Sequence, residues 1–324
     1  MAILITGGAG YIGSHMAWAL QDRGEEAIVL DTLVTGFASA IPPSTRFIQA
    51  DIADREALRA LFAHNAIRAI VHFAASTVVP DSVADPLGYY FNNTIKTHAL
   101  IEEAVRAGIG RFVFSSTAAV YGSPQQADVT EATPTCPQSP YGSSKLASED
   151  MLRAAAAAHG FSLAILRYFN VAGADPLGRA GQSSARATHL IKVCAQAALG
   201  RRDGVEIYGT DYPTPDGTGV RDYIHVADLI DAHLLALDAL SPGEAPILLN
   251  CGYGHGFSVR EVIRAAQRVS GEAFAVREMP RRPGDPAAIV AKAETIRARL
   301  GWQPRFDDLD VIVRHALDWE KGLG

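Results

Sequence analysis

Two residues that can move a proton together stand four positions apart in the stretch SPYGSSKLASED, at Tyr141 and Lys145. Positions i and i+4 lie on the same face of a helix, so both side chains can point into one site. A neighbouring ammonium group lowers the pKa of a phenol, which makes the phenol a usable general base near neutral pH. A solvated helix face that begins with a proline is the alternative interpretation, so the surrounding elements must decide between the two.

A second stretch, ILITGGAGYIG, indicates a strand that runs into a glycine turn and then into a helix. Gly8, Gly10 and Gly13 satisfy the pattern GxGxxG, and Gly7, Gly10 and Gly13 satisfy GxxGxxG. A backbone without Cβ atoms can approach a pyrophosphate closely, and the helix that begins near Ile12 presents the positive end of its dipole. The stretch therefore predicts a dinucleotide phosphate loop.

Two acidic residues follow at the ends of the next apolar runs. Asp31 ends EAIVLD, eighteen residues after Gly13. A carboxylate there accepts hydrogen bonds from the adenosine ribose and repels a 2′-phosphate, so the sequence predicts NAD rather than NADP. Asp51, in the segment ADI, would lie beside the adenine, although a plain helix cap is an equally good interpretation.

Short β-branched runs alternate with helix-period patterns through the first half of the chain. The runs are AILITG, EAIVLD, RFIQAD, AIVHFAA, RFVFSS and LAILRYFN. Continuous apolar strands of this kind are buried on both faces of a parallel sheet. The alternation predicts an α/β fold with a Rossmann-like, doubly wound parallel sheet.

The pattern changes from about Val171. A Gly- and Pro-rich loop, AGADPLGRAGQSS, precedes a helix that ends near Gly200, the short strand VEIYG and the polar loop TDYPTPDGTG. The segments VADLIDAHLLALDAL, PILLNCG and SVREVIRAAQRVSG then return to strand and helix patterns. We expect an NAD-binding domain over residues 1–172 and a smaller C-terminal α/β substrate lobe over residues 173–324, partly interleaved with the first.

Composition excludes several classes of function. A net charge of -6 without any run of Lys or Arg argues against a nucleic-acid or anionic-membrane surface. Three distant cysteines favour a reducing compartment, and no His or Cys cluster has the spacing of metal ligands. The N-terminus lacks the basic segment of a signal peptide, and its apolar run is broken by glycines. We expect a soluble cytoplasmic protein that acts on a small molecule, with no metal.

The motifs together resemble the extended short-chain dehydrogenase/reductase family, and within it the UDP-sugar 4-epimerases that interconvert UDP-glucose and UDP-galactose. The resemblance runs nearly from end to end and is carried by TGGAGYIGSH, DPLGYYFNNT, FSSTAAVYG, SPYGSSKLASE, LRYFNVAGA, GTDYPTPDGTGVRDYIHVADL and RRPGD. It implies a Rossmann-like domain that holds NAD, a C-terminal lobe that holds the UDP-hexose, and a homodimer.

The resemblance also implies catalytic roles. Tyr141 and Lys145 match the family's Tyr-x-x-x-Lys pair, and Thr117 matches the residue that hydrogen-bonds the sugar O4 and relays its proton. Tyr141 would remove the proton of the 4-hydroxyl while a hydride passes from C4 to NAD. The resulting ketone turns over and the hydride returns to its opposite face, so the cofactor can stay bound.

The remaining expected site residues come from the same resemblance. The cofactor-binding set is Gly7, Gly10, Tyr11, Ile12, Gly13, Asp31, Asp51, Ile52, Phe73, Ala74, Ala75, Asn92, Tyr141, Lys145 and Tyr168. The substrate-binding set is Thr117, Tyr141, Asn170, His189, Tyr208, Arg221, Arg282 and Asp285. Arg221, Arg282 and Asn170 match contacts to the diphosphate, where the planar fork of an arginine pairs two phosphate oxygens. Asp285 matches a contact to the uridine ribose, and Tyr208 an aromatic residue near the uracil.

Three positions depart from the family pattern. Thr77 stands where the best-known epimerases carry a Lys near the nicotinamide, so one cofactor contact is missing. His189 replaces an Asn that usually contacts the diphosphate. Ile289 falls where a Tyr excludes N-acetylated sugars in some members, which leaves open whether N-acetylhexosamines or pentoses are also substrates.

Other functions on the same fold remain as alternatives. A nucleotide-sugar dehydratase needs an Asp-Glu pair directly after the catalytic Ser or Thr, and Ala118 and Ala119 follow Thr117 here. A reductase that releases its cofactor is a second alternative, and Asp31 argues against its NADPH form. A non-catalytic NAD-binding regulator is a third, which need not keep the Tyr141 and Lys145 pair.

Overall fold

The computed structural model describes residues 1–184, 188–282 and 284–323. Its strands are β1 (Ala2–Thr6), β2 (Ala27–Asp31), β3 (Arg46–Gln49), β4 (Ile67–His72), β5 (Arg111–Thr117), β6 (Asp128–Val129), β7 (Ser162–Tyr168), β8 (Asn170–Ala172), β9 (Val205–Tyr208), β10 (Val220–Arg221), β11 (Tyr223–His225), β12 (Ile247–Cys251), β13 (Phe257–Ser258), β14 (Val276–Met279) and β15 (Ala288–Ala291).

Helices connect many of these strands. They are α1 (Tyr11–Asp22), α2 (Arg55–His64), α3 (Val79–Ala84), α4 (Pro86–Tyr90), α5 (Lys96–Arg106), α6 (Pro140–His159), α7 (Leu190–Ala198), α8 (Val226–Asp238), α9 (Val259–Ser270), α10 (Glu294–Leu300) and α11 (Leu309–Gly322). A π-helix, Phe91–Ile95, joins α4 to α5, and short 3-10 helices cover Ala38–Ala40 and Ala118–Tyr121.

A seven-stranded sheet has the order β12-β7-β5-β4-β1-β2-β3. The pairings among β1 to β5 are all parallel. The order reverses between β1 and β4, and ligands of doubly wound sheets bind at such a switch point, beyond the carboxyl ends of the strands. The six apolar runs that predicted strands are confirmed as β1 to β5 and β7, and the doubly wound α/β class is confirmed with them.

The central strands are buried over their whole length, which explains their lack of polar alternation. All five residues of β1 are buried, and Ile3, Leu4 and Ile5 are fully inaccessible. A core cluster joins Leu4 and Leu30 to helical residues such as Leu58 and Leu100. Burial of each Leu or Ile side chain contributes about 1.5–3 kcal/mol, so the sheet is a stable base for the loops at its edge.

The chain divides into two compact units, each assembled from three segments. The first unit comprises Met1–Val120, Ser139–Arg167 and Ile230–Leu249. The second comprises Tyr121–Gln138, Tyr168–Leu229 and Asn250–Gly324.

The second unit contains small sheets and a cluster of helices. Its sheets have the orders β13-β10-β15-β6, β11-β8 and β14-β9. Helices α7, α9 and α11 pack against one another. Helix α9 begins with a capping box, in which Ser258 accepts a hydrogen bond from the backbone N–H of Glu261 and the Glu261 carboxylate accepts one from that of Ser258.

Within the described part of the chain, no helix is long and apolar enough to cross a membrane. Within residues 1–184, 188–282 and 284–323, no group of three or more His, Cys, Asp and Glu side chains could hold a metal ion.

Candidate functional site

The glycine loop follows β1 at the switch point of the large sheet. Gly7 has φ +71, and a Cβ there would lie 2.6 Å from the backbone N of Ala74. A Cβ on Gly13 would overlap the carbonyl oxygen of Gly7, so this glycine allows α1 to pack on the loop. A Cβ on Gly10 would meet only the Gly7 oxygen, at 3.3 Å, among the described atoms within 4 Å. The space beside Gly10 is therefore open, as the approach of a pyrophosphate requires.

Helix α1 begins at Tyr11 with Gly10 as its N-cap, and no side chain caps this end. Ile12 and Gly13 complete the first turn. The first backbone N–H groups of a helix have no partner within the helix, and they attract an anion. A bare N-cap beside an open glycine fits a dinucleotide phosphate, which supports the prediction for this loop.

Asp31 ends β2 next to the loop, and both its carboxylate oxygens accept backbone hydrogen bonds. Oδ2 accepts from the N–H of Ala9 at 3.0 Å, and Oδ1 accepts from that of Leu33 at 2.8 Å. Leu33 has φ 61, a left-handed conformation that few leucines adopt. Asp31 thus fixes both the glycine loop and the turn after β2, and its partly exposed carboxylate can also meet a ribose.

Asp51 is the second acidic candidate, and it lies in an ion pair. Its Oδ2 is 2.5 Å from Nζ of Lys96, and its Oδ1 accepts from the N–H of Ala53 at 2.9 Å. The N-cap of α2 is Asp54 rather than Asp51. Ile52 beside it is buried. The cap interpretation of Asp51 is therefore wrong, whereas its contact with adenine stays a prediction.

The segment after β4 carries Phe73, Ala74 and Ala75, all partly buried. The N–H of Phe73 donates to the carbonyl of Thr6 at 2.9 Å, which extends the pairing of β4 with β1. Ala74 lies against Gly7, so this segment borders the glycine loop. Thr77 farther along is exposed.

The π-helix connects this segment to α6. Asn92 donates from Nδ2 to Oγ of Ser76 at 2.9 Å. The neighbouring Asn93 is buried, accepts from the N–H of Ser76 at 2.8 Å, and donates to Oγ of Ser144 at 3.1 Å. A π-turn often marks a functional site. Here two consecutive asparagines both bond to Ser76, and Asn93 ties the segment after β4 to the helix that carries Tyr141.

Local sequence fixes the start of α6 and therefore the position of Tyr141. Ser139 is the N-cap and accepts from the N–H of Gly142, and Pro140 occupies the first helical position. Tyr141 and Lys145 follow one turn apart, and both side chains are buried. The predicted helix with the pair at its start is confirmed.

The ammonium group of Lys145 lies against an aromatic ring. Its Nζ is 4.1 Å from the centroid of the Phe114 ring, a cation–π contact. Burial lowers the pKa of Lys145 to about 7, and the negative charge of Glu149 acts in the opposite direction. A lysine in this state changes its charge near neutral pH, which an isolated surface lysine does not.

His72, at the end of β4, completes this environment. Its ring stacks on Phe114 with centroids 5.6 Å apart. Its Nδ1 and Nε2 are hydrogen-bonded to Oγ1 of Thr6 at 2.6 Å and of Thr97 at 2.9 Å. Burial, and then the charge of Lys145, lower the pKa of His72 to about 3, so the ring is neutral at physiological pH.

Thr117 and Tyr168 lie at the ends of neighbouring strands in the large sheet. Thr117 ends β5, is 8% exposed, and accepts on Oγ1 from the N–H of Ala119 at 3.1 Å. Its hydroxyl hydrogen can still be donated to another group. Tyr168 ends β7 and is partly buried.

In the second unit, strand pairing brings several predicted substrate residues together. Arg221 on β10 is the register partner of Ile289 on β15. The backbone N–H of Asn170 donates to the carbonyl of Asp222 at 3.0 Å, so Asn170 is bonded to the residue after Arg221. Ile289 is buried, while Arg221 and Asn170 are partly exposed.

Arg282 and Tyr208 form a second pair in this unit. The guanidinium carbon of Arg282 lies 3.6 Å from the centroid of the Tyr208 ring, and the phenol of Tyr208 donates to Glu206. The exposed Asp285 is three residues from Arg282. His189 is the exposed N-cap residue of α7, and its side chain makes no capping hydrogen bond.

A buried carboxylate, not expected from the sequence, organises the Arg221 region. Asp222 is fully buried and accepts from the N–H groups of Tyr253 at 2.9 Å, Gly254 at 3.1 Å and Ala291 at 3.3 Å. Burial raises its pKa to about 6, although these hydrogen bonds act in the opposite direction. Asp222 thereby ties β15, the strand of Ile289, to the chain next to Arg221.

The model of the NAD dependent epimerase/dehydratase family matches residues 3–252. A UDP-glucose 4-epimerase of Azospirillum brasilense is 55% identical over 321 residues, which cover 99% of this chain and 92% of that protein.

Two solved structures are similar over their whole length. The UDP-Glc/GlcNAc 4-epimerase of Campylobacter jejuni is 49% identical with a TM-score of 0.87, and the match covers 99% of each chain. The UDP-glucose 4-epimerase of Bifidobacterium longum, in complex with NAD+ and UDP, is 36% identical with a TM-score of 0.95, and covers 99% of this chain and 98% of that one. Because the family model matches most of the chain and a relative is 55% identical over 99% of it, the chain belongs to the NAD dependent epimerase/dehydratase family.

Proposed function

We propose that the chain is an isomerase that interconverts UDP-glucose and UDP-galactose by transient oxidation at C4, with NAD held throughout turnover. The observation that carries the proposal is the buried Tyr141 and Lys145 pair at the start of α6, in a chain that matches UDP-glucose 4-epimerases over nearly its whole length. A phenol beside an ammonium of lowered pKa suits proton transfer from a sugar hydroxyl.

We assign NAD to the switch point of the large sheet. The proposed contacts are Gly7, Gly10, Tyr11, Ile12 and Gly13 for the pyrophosphate, Asp31 for the ribose, Asp51 and Ile52 for the adenine end, and Phe73, Ala74, Ala75, Asn92, Tyr141, Lys145 and Tyr168 for the remainder. The open space at Gly10 and the uncapped start of α1 support the pyrophosphate position. NAD held by these residues would supply a reversible hydride acceptor for C4 of the sugar.

The protein's own residues move the proton. Tyr141 takes the proton of the 4-hydroxyl as C4 is oxidised to a ketone. It gives the proton back to O4 when the ketone is reduced. Lys145, as the ammonium, stabilises the phenolate of Tyr141. Thr117 holds O4 through its hydroxyl, whose hydrogen is available because Ala119 uses only the oxygen as an acceptor.

The second unit supplies the proposed contacts to UDP. Arg221, Arg282, Asn170 and His189 bind the diphosphate, Asp285 binds the uridine ribose, and Tyr208 stacks near the uracil. The stacked Arg282 and Tyr208 support this assignment, because the end of β9 and the chain after β14 then offer an aromatic face and a cation side by side. We accordingly propose residues 1–172 as the core of the NAD-binding domain and residues 173–324 as the core of the nucleotide-sugar lobe, partly interleaved with it.

The range of sugars depends on Ile289, which is buried beside Arg221. An isoleucine occupies less space than the tyrosine of more selective members, which supports activity on UDP-N-acetylhexosamines as the second candidate. The similarity to an enzyme named for both UDP-Glc and UDP-GlcNAc points the same way. UDP-pentoses are a further alternative.

We also propose that the protein is a cytoplasmic homodimer. The three cysteines are free thiols, which suits a reducing compartment. An apolar patch runs along α3, α4 and the π-helix and is formed by Val79, Val83, Leu87, Tyr90, Phe91 and Ile95. Leu87 is 80% exposed and Val83 is 65% exposed, and contiguous exposed apolar side chains mark interaction sites. A second copy of the chain is the proposed partner.

The deciding experiment is incubation of the purified protein with UDP-galactose and, separately, UDP-N-acetylgalactosamine, without added NAD. Proton NMR follows the configuration at C4. Conversion of UDP-galactose supports epimerisation with a resident cofactor, and conversion of the second sugar supports the wider range. If neither sugar is converted even after NAD is added, while NAD and UDP both bind, the regulator alternative replaces this proposal.

A further inference from the structure

Glu149 lies on α6 four residues after Lys145, which itself lies four residues after Tyr141. Residues at i, i+4 and i+8 follow one face of a helix, so the carboxylate continues the row that begins with the phenol and the ammonium. Glu149 is 0% exposed. A buried carboxylate needs partners, since an unpaired charge in the interior is strongly unfavourable.

The partners of Glu149 come from two strands and from its own helix. Arg167 on β7 donates to it from Nε at 2.9 Å and from Nη2 at 2.6 Å. Arg153, one turn later on α6, donates at 3.0 Å. Ser116 on β5 donates from Oγ at 2.5 Å. Since Thr117 directly follows Ser116, Glu149 joins the helix of Tyr141 and Lys145 to the strand of Thr117.

Lys145, one turn before Glu149 on α6, is buried, and burial disfavours its charged form. Burial lowers the pKa of Lys145, and the charge of Glu149 raises it. Among the described residues, two further titratable groups lie near Lys145: Tyr141, one turn earlier on α6, and His72 on β4, whose pKa of about 3 leaves it neutral in the range of interest. The charged side chains Lys96 and Glu103 on α5 have other partners, since Lys96 pairs with Asp51 and Glu103 pairs with Arg59.

We propose that Glu149 is a positioning residue of the active site, which keeps Lys145 in its ammonium form and holds α6 in place against the strand of Thr117. This inference rests on the proposed function, because it concerns the charge that Tyr141 needs for proton transfer. The role is electrostatic and geometric, and Glu149 itself contacts neither sugar nor cofactor in it.

The charge of Lys145 can be measured without any turnover. The chain contains five lysines, so [ε-¹³C]lysine gives few NMR signals, and Lys145→Met assigns the one of interest. Glu149→Gln keeps the shape of the side chain and removes its charge. We expect the titration midpoint of Lys145 to fall by about one pH unit in this variant. The alkaline limb of the kcat profile should move to lower pH by the same amount.

Two further variants separate the electrostatic role from simple stabilisation. Glu149→Gln combined with Arg167→Met removes both charges of the buried pair and so avoids an unpaired buried arginine. We expect the double variant to regain thermal stability and to keep the lowered Lys145 midpoint. Glu149→Asp retains the charge and should restore the midpoint towards that of the native chain.

Glu103 provides the matched control. It is 1% exposed and accepts hydrogen bonds from Arg55, Arg59 and Arg106, but it lies on α5, and the charge that raises the pKa of Lys145 is that of Glu149. Glu103→Gln should lower the melting temperature and leave the Lys145 titration unchanged. An unaltered Lys145 midpoint in both Glu149→Gln and the double variant would overturn the inference. Absence of turnover in the native chain would instead count against the proposed function, because the titration does not depend on it.

Discussion

Burial works against the positive charge of Lys145 and so makes the stability of the protein depend on pH. The pKa of this side chain falls from 10.5 to about 7 on burial. Below pH 7 the folded and the unfolded chain both carry the ammonium, and the full desolvation cost is present. Between pH 7 and 10.5 the unfolded chain binds a proton that the folded chain has released, so this group's contribution to stability becomes more favourable as the pH rises.

Lys145→Met should therefore stabilise the protein most at low pH while it lowers activity. We expect the melting temperature to rise by about 3–6 °C at pH 6, with a smaller gain at pH 9.5. Calorimetry of both proteins at the two pH values checks the sign. A gain that is equal at both pH values would contradict a buried ammonium. Retention of NAD should fall in the same variant, and it can be measured as cofactor released on denaturation.

Tyr141→Phe tests the proton transfer directly. Loss of the phenol should reduce kcat by about 100- to 10,000-fold, the usual contribution of general acid–base catalysis. Binding of NAD and UDP should persist, because the ring remains in the same buried position. Turnover by coupled assay and UDP binding by calorimetry give the two readouts. Undiminished kcat would remove Tyr141 from the mechanism.

At the scale of elements, the glycines of the loop after β1 have different structural roles. Gly13 lets α1 pack on the loop, whereas Gly10 leaves open space beside the start of the helix. Substitution at the two positions should consequently affect different properties of the protein. Gly10 and Gly13, within four residues of each other, therefore allow the effect on cofactor binding to be compared with the effect on packing.

Gly10→Ala should weaken NAD binding by about tenfold or more and change the melting temperature little, because the new methyl would enter the space assigned to the pyrophosphate. Gly13→Ala should destabilise the fold by about 1–3 kcal/mol, because its methyl overlaps the Gly7 carbonyl. Cofactor content and thermal unfolding of both variants check this. An equal loss of stability in the two would show that Gly10 is also a packing residue.

The elements of the large sheet could be predicted because their signals are local. Six apolar runs, the glycine loop and the Ser-Pro start of α6 each depend on a few adjacent residues. The surroundings of Lys145 depend on distant ones: His72 bonds to Thr6, which is 66 residues away, and to Thr97, which is 25 residues away. Glu149 could have been found by extending the i, i+4 spacing by one step. The role of Asn93 could not have been found, because Asn92 and Asn93 are adjacent in the sequence and only the π-turn gives them different contacts.

At the scale of the whole molecule, the assignment of segments to units depends on long-range contacts. Tyr121–Gln138 belongs to the second unit although it precedes α6, and Ile230–Leu249 belongs to the first unit although it follows β11. In the second unit, β6 pairs in parallel with β15, more than a hundred residues later. Two-residue strands such as β6 and β10 have no periodicity of their own. Sequence patterns could therefore not predict which segments belong to which unit.

The apolar patch on α3, α4 and the π-helix gives a prediction about assembly. Leu87→Glu combined with Ile95→Glu should convert the proposed dimer to a monomer of 34.5 kDa, because two charges would be buried at the proposed contact. The folded monomer should persist, since both side chains are exposed in it. Light scattering after size exclusion measures the mass. Leu177→Glu, at a position 74% exposed outside the patch, is the control and should leave the dimer intact.

Asp31 limits how cofactor preference could evolve or be redesigned. Its carboxylate holds Ala9 in the glycine loop and Leu33 in the following turn. An asparagine here would keep an acceptor for only one of these backbone N–H groups, and a smaller apolar residue that admitted a 2′-phosphate would leave both without an acceptor. Acceptance of the phosphorylated cofactor therefore requires two turns to be rebuilt along with the side chain, and a single substitution at this position is expected to lose NAD without gaining NADP.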